Sequence, residues 1–287
     1  MKTLTRDSFA AAERFLALNA RLLDRRRFDH LFHDGPAEPV RLAMAAYANP
    51  DGGYGHGFEP DLRGPSSQPI PAQHALQIAI DLGDPPPPGL LDFIVSATAP
   101  DGGVPFVLPT VRDEPRGPWW QAPDDLPGAI NPTATLAGLL HRMNVGHPWL
   151  GPADDFCWRH LDSLTETTPY DALAILRFLD HVPDRERAAK AFAAVREPIL
   201  ATVELDPGAP GEVHLPLEYA PAPTGFGGTL FSDDVIATHL DALIDAQLPD
   251  GGWTFNWTRW TPIVEPEWRA FVTIESLRTL RAYGRLT

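Results

Sequence analysis

Cysteine is almost missing from this sequence. Cys157 is the one cysteine in 287 residues, which excludes an intramolecular disulfide and a Cys-based zinc knuckle. Long apolar runs are also missing, and no stretch approaches the roughly 18 uninterrupted apolar residues of a membrane span. The N-terminal MKTLTRDSFAAAERF breaks its apolar residues with Arg6, Asp7, Glu13 and Arg14, so it does not read as a secretory signal. Positive charge is scarce: 23 Lys and Arg stand against 38 Asp and Glu, a formal net charge of −15. Such a surface repels nucleic acid and anionic lipid. The one basic run, Arg25–Arg27, complements a helix C-terminus. Alternating strand patterns longer than a few residues do not occur. The absences together predict a cytoplasmic, all-α protein with no nucleic-acid partner and no membrane span.

What is present is helical periodicity and loop punctuation. Residues 5–26 place Phe9, Ala12, Phe15, Leu16, Leu22 and Leu23 at about 3.6 spacing. Similar patterns predict helices over 38–48, 71–82, 88–98, 132–145, 153–164, 169–181, 184–203, 232–247 and 268–284. Pro71, Pro132 and Pro169 sit in first turns, and Asn131, Thr168 and Ser232 are placed to cap. The 32 prolines concentrate at 85–88, 105–132 and 207–225, between helical patterns, as ordered loops require. The stretch 204–231 carries no assigned element.

The sequence Pro-Asp-Gly-Gly occurs three times, as NPDGGYG from 49, APDGGVPF from 99 and LPDGGWTF from 248. Each copy follows one helical pattern and precedes a loop that leads to another. Asp bonds its own backbone and Gly accepts positive φ, so each copy predicts a tight turn. Three such turns predict a repeated helix–turn–helix unit. The third copy, AQLPDGGW, carries Gln247, Gly251 and Trp253 in the order Gln-x-x-x-Gly-x-Trp. With it the chain resembles the terpenoid cyclase / protein prenyltransferase superfamily, whose squalene–hopene cyclases carry this QW motif. In the first two copies Ala48 and Thr98 stand for the glutamine, and Tyr54 and Val104 for the tryptophan. The resemblance implies an α/α toroid of about five to six helical hairpins in a single domain over 1–287. Inner helices, 5–26 among them, would surround a cavity. The family's acid motif Asp-x-Asp-Asp is absent, and so is the metal-binding Asp-Asp-x-x-Asp. Cys157, in DFCWRHLD on a predicted outer helix, does not serve a prenyltransferase zinc triad.

Candidate chemistry sits in the loops. GHGFEPDLR holds His56, Glu59, Asp61 and Arg63. The loop is well past the about 2–8 residues typical of helix–helix connections. Two carboxylates one residue apart repel, so one tends to keep its proton and act as an acid. Arg63 holds the other ionised or binds an anionic group. The competing reading has Glu59 and Asp61 capping the helix near 71, with Arg63 in a structural salt bridge. Trp119 and Trp120, in the loop 105–125, either wall an apolar ligand or plug the core. Trp257 and Trp260 are further lining candidates. Asp233 and Asp234 partly match the cyclase acid motif, or open a helix favourably. The inner-helix polar residues His74, Asn131, Tyr170, Asp171 and Glu275 either point into a cavity or serve as caps and satisfied rim residues. No metal-ligand cluster and no cofactor motif is found. The sequence therefore predicts a terpenoid-cyclase-like enzyme doing acid–base cyclisation or isomerisation on an apolar, isoprenoid-like small molecule. A non-catalytic binding or scaffold toroid and a glycan-cleaving α/α toroid are the alternatives.

Overall fold

The computed structural model describes residues 1–286. They form twelve α-helices in chain order: α1 Arg6–Asn19, α2 Leu22–His33, α3 Glu38–Ala45, α4 Pro69–Leu82, α5 Leu90–Ala97, α6 Ile130–Arg142, α7 Leu150–Asp162, α8 Pro169–His181, α9 Arg185–Leu200, α10 Pro216–Tyr219, α11 Asp233–Asp245 and α12 Val264–Ala282. No strand forms among the described residues, and extended segments meet only in isolated bridges such as Leu62–Arg116 and Val104–Ala129. The all-α expectation is what the structure shows. No helix of the described residues is long and apolar enough to cross a membrane.

The helix predicted over 5–26 is two helices. Ala20 and Arg21 take extended backbone, with ψ of 150° and 156°. Asn19 closes α1 by donating Nδ2–H to Phe15 O (2.9 Å), and Arg21 opens α2 by donating to Asp24 Oδ2 (2.8 Å). The apolar count misled because Leu22 is exposed, whereas Phe28, beyond the predicted end, is buried. The unassigned stretch 204–231 contains the four-residue α10, too short for periodicity to reveal. Most other predicted bounds differ by a few residues, as fraying ends do.

The chain divides into two compact units. One contains Met1–Val40 and the chain from Leu200 onward, the other Arg41–Ile199. In the first, α12 packs against α1 and α2 around Phe15, Leu16, Trp253, Ile274, Leu277 and Leu280. Leu4 N donates to Arg285 O (2.8 Å), so the N-terminal segment lies against the C-terminal one. In the second, α6 is buried nearly all round and packs most extensively against α8, then α4 and α7. Gly138 allows this: a Cβ there would lie 2.5 Å from Arg177 O and 3.0 Å from Phe178 Cα.

The three Asp-Gly-Gly turns share one geometry. In each, a backbone N–H donates back across the turn: Asn49 N to Gly53 O (2.9 Å), Ala99 N to Gly103 O (2.8 Å), Leu248 N to Gly252 O (2.9 Å). In each, the aspartate accepts from the second glycine: Asp51 from Gly53 N (2.9 Å), Asp101 from Gly103 N (3.0 Å), Asp250 from Gly252 N (3.1 Å). The first glycine has φ of +84°, +90° and +95°, a region that costs a side-chain-bearing residue about 1–2 kcal/mol. Each also touches backbone at the cap or in the first two turns of a helix. A Cβ on Gly52 would lie 2.2 Å from Gly89 O, on Gly102 2.8 Å from Pro152 O, and on Gly251 2.2 Å from Ala11 O. Thus α1 receives the third turn as α5 and α7 receive the first two.

Candidate functional site

The loop from Tyr54 to Gln68 folds back on the first turn and is held there by its backbone. Gln68 N donates to Tyr54 O (3.0 Å), His56 N to Gly64 O (2.7 Å) and Gly57 N to Leu62 O (3.1 Å). Tyr54 and Phe58 are buried and stacked, with ring centroids 5.2 Å apart. Burial pushes the Tyr54 phenol above its ordinary pKa. The aromatic pair anchors the loop, and the segment Glu59–Leu62 turns inward.

Glu59 and Asp61 are each only 3% exposed. Glu59 Oε2 lies 2.8 Å from Nε2 of His74, which projects from the second turn of α4. With Glu59 ionised, the imidazole N–H donates to it. The His74 side chain keeps 23% of its surface exposed against 4% for Glu59, so the imidazole is the more open member of the pair. Phe58 meets the same ring edge-on at 6.3 Å. The Asp61 carbonyl accepts from Gly117 N (2.9 Å). The Arg63 guanidinium lies beside Gly57, where a Cβ would come within 3.2 Å of its Cζ. Neither carboxylate serves as the cap of α4, whose N-cap is Gln68, with no side-chain cap bond. His56 is exposed at φ +58°, and its Nε2 lies 3.0 Å from Asn49 Oδ1. The imidazole beside Glu59 is therefore that of His74.

The loop 105–125 closes over this segment. Arg63 N donates to Pro115 O (2.9 Å), and Ser66 bonds Glu114 through both its amide and its hydroxyl. The buried Gln68 clamps the two loops, donating to Thr110 Oγ1 (2.8 Å) and accepting from Leu108 N (2.8 Å). Arg116 orders the loop from within by donating to four carbonyls, those of Val111, Arg112, Glu114 and Trp120. Trp120 is buried, stacks on Phe106 at 4.8 Å, and packs with Leu62, Ile70, Val107 and Val111. It fills the space between the loops, and its Nε1–H has no partner. Trp119 is 40% exposed.

A cavity of about 790 Å³ opens beside these loops, lined by the first turn, the end of α5 and parts of both loops. Ser66, Ser67, Leu108 and Thr110 contribute to it, whereas Glu59, Asp61 and His74 are not in its lining. The remaining candidates belong to the other unit. Asp233 and Asp234 are exposed in the first turn of α11, behind the Ser232 cap, where they complement the helix dipole. Trp257 meets Trp268 edge-on at 5.0 Å and lies 4.7 Å from Phe255, and Trp260 is half-buried. The structure thus brings Glu59, Asp61, Arg63 and Trp120 into one pair of loops. The sequence left His74, Gln68 and Arg116 unmarked as members of that site. Nothing in their spacing signals it, because each acts across a loop closure.

The third turn carries the Gln-x-x-x-Gly-x-Trp residues. Gln247 Nε2 donates to Ser8 O in the first turn of α1 and to Gly251 O, both at 2.8 Å. Trp253 is 2% exposed and donates Nε1–H to Leu243 O (2.7 Å). Its amide donates to Thr273 Oγ1 (3.0 Å), as Val104 N donates to Thr133 Oγ1 (2.7 Å) in the second turn.

No protein-family model and no curated protein matches this chain. Solved structures do match its fold. A crystal structure of a protein from Actinoplanes superposes with a TM-score of 0.63 at 17% identity, covering 97% of this chain and 100% of that one. The apo structure of the type II terpene cyclase MstE from Scytonema superposes with a TM-score of 0.56 at 13% identity, covering 98% of this chain and 99% of that one. Likeness at these identities is likeness of fold, and the fold shared is the all-helical α/α fold of a terpene cyclase.

Proposed function

We propose that the chain is a single-domain α/α toroid of terpenoid-cyclase type that moves a proton to or from an apolar, isoprenoid-like small molecule. The observation that carries this reading is the Glu59–His74 pair, 2.8 Å apart, with its carboxylate almost fully buried and its imidazole partly open. In the proposed step, His74 exchanges the proton with the ligand and Glu59 holds the ring and balances its charge. Asp61 and Arg63 set the electrostatics behind them. Trp119 supplies an exposed aromatic face for an apolar or cationic group. Incubation with an acyclic isoprenoid such as squalene or farnesol, followed by product analysis, tests the reading. Wild type is expected to form an isomerised or cyclised product. Glu59→Gln and His74→Gln should retain helical circular dichroism and lose at least about 100-fold in rate, the lower range for a general acid–base group. Turnover unchanged in both variants removes the pair from the mechanism.

A second reading is a non-catalytic binding or scaffold toroid. It is favoured by one observation, that the cavity described above lacks Glu59, Asp61 and His74 in its lining. Ligand binding without conversion of any isoprenoid would support it.

A further inference from the structure

The cavity of about 790 Å³ beside the first turn has a one-sided hydrogen-bonding character. Five of its lining residues bear hydroxyls, and four of these have already given their proton to the protein. Ser66 donates to Glu114, Ser67 to Asp51 Oδ1 (2.7 Å), Ser96 to Phe93 O (2.8 Å) and Thr98 to Ile94 O (2.7 Å). The Asn49 amide is spent likewise, on Pro65 O (2.8 Å) and Ser67 Oγ (3.0 Å). Pro50, Pro65, Pro100 and Pro105 line it with no backbone N–H to offer. Part of the acceptor side is spent as well, since Thr98 Oγ1 accepts from Trp149 Nε1 (2.8 Å) and Asp51 Oδ1 from Gly53 N (2.9 Å), so the lone pairs left toward the cavity are chiefly those of Ser66, Ser96 and the Asp125 carboxylate. The charged lining residues are Asp51 and Asp125, with no Lys, Arg or His among the lining. Asp125 is exposed and makes no bond within the described chain. Phe93, Ala97, Leu108 and Leu126 supply the apolar surface. The volume lies in the range of small-molecule sites, about 300–1,000 Å³.

We propose that this cavity is a second small-molecule site, distinct from the Glu59–His74 pair, and that it takes an organic ammonium ion with an apolar body. An ammonium brings three donors and a positive charge to a surface that offers acceptors and negative charge. An anion or a neutral acceptor finds no cationic side chain there, and Thr110, whose oxygen accepts from Gln68, keeps the one uncommitted hydroxyl proton among the five. The proposal stands whether or not the Glu59–His74 pair is catalytic.

The test uses 2-phenylethylammonium as probe, with 2-phenylethanol and phenylacetate as isosteric controls, in titration calorimetry and ligand-observed NMR at pH 7. The full chain should bind the ammonium at millimolar concentrations, the alcohol more weakly, and phenylacetate not at all. Asp125→Asn should weaken the ammonium by about fivefold, as loss of one partly screened charge does. Ser96→Trp, at an exposed position of the cavity wall, should abolish binding while leaving the melting temperature unchanged. Asp155→Asn, an exposed acid outside the cavity, should change nothing. Binding of phenylacetate equal to the ammonium overturns the proposal. So does an equal effect of Asp155→Asn and Asp125→Asn, because the general negative field would then suffice. Undiminished binding in Ser96→Trp places the ligand elsewhere and overturns it as well.

Discussion

The first and third Asp-Gly-Gly turns have nearly the same backbone and opposite side-chain habits. In the third, Gln247 and Trp253 spend their polar groups on Ser8, Gly251 and Leu243, and the turn is locked to α1. In the first, Ala48 replaces the glutamine and Tyr54 the tryptophan, and Asn49, Asp51 and Ser67 form a hydrogen-bonded wall beside a cavity. The Asp-Gly-Gly triplet therefore determines the turn, while its flanks decide whether the turn becomes a structural clasp or the edge of a site. Loops carry function more readily where the scaffold beneath them is already fixed, and the shared turn geometry provides that fixed base.

The largest break in this comparison is expected from Trp253→Ala. The ring is 2% exposed within the core of its unit, so its removal should destabilise by about 3–5 kcal/mol in denaturant unfolding. A loss below about 1 kcal/mol would show that the clasp contributes little.

Gly52→Ala and Gly251→Ala come next. Both positions combine a positive φ with a Cβ that would lie 2.2 Å from a carbonyl oxygen. Each should cost about 1–3 kcal/mol, and the two costs should agree if the turns are mechanically equivalent. A large cost at Gly251 with none at Gly52 would instead make the first turn a pliable rim.

Gln247→Ala should cost about 1–3 kcal/mol, since two side-chain bonds are lost at about 0.5–1.5 kcal/mol each. The reverse exchange, Ala48→Gln, should leave stability within about 0.5 kcal/mol, because the Asn49 side chain already ties the first turn to Pro65 O and Ser67 Oγ. A stabilising Ala48→Gln would show that the first turn is an unfinished clasp.

The smallest effect is in the pH dependence. The Arg269 hydrogen bond, ahead of the Gly252 amide, holds the Asp250 carboxyl below its ordinary pKa. A depressed folded pKa contributes stability that is present above the unfolded value, about 3.9, and is lost as pH falls through the folded value. Asp250 is half exposed, so solvent screens the interaction. Acid unfolding curves should show a slightly shallower loss below about pH 4 in Arg269→Gln than in wild type. Identical acid limbs would remove the ion pair from the turn's stability.

Much of this was legible in the chain itself. Apolar spacing marks α8 at its observed bounds, Pro169–His181, because Thr168 caps it and Pro169 opens it, both local signals. Asp-Gly-Gly specifies its turn three times because the aspartate bond and the positive φ lie within a few residues of one another. The loop bearing Glu59 and Asp61 stood out by its length and composition, and those two residues are indeed the buried carboxylates of that loop. The break between α1 and α2 did not stand out, since two extended residues scarcely disturb an apolar count.

Tertiary structure alone decided the rest. Which histidine meets Glu59 depends on how the loop returns to α4, and His74 is fifteen residues away in sequence, against three for His56. Whether Trp120 faces a ligand or fills a core depends on Leu62, Ile70 and Val111 arriving around it. The acceptor-rich cavity exists only because several short side chains turn their protons inward, each toward a different partner. Local conformation follows from residues that are neighbours in the chain, and is written there. A site assembled by loop closure follows from residues that become neighbours only on folding, and no sequence spacing encodes those distances.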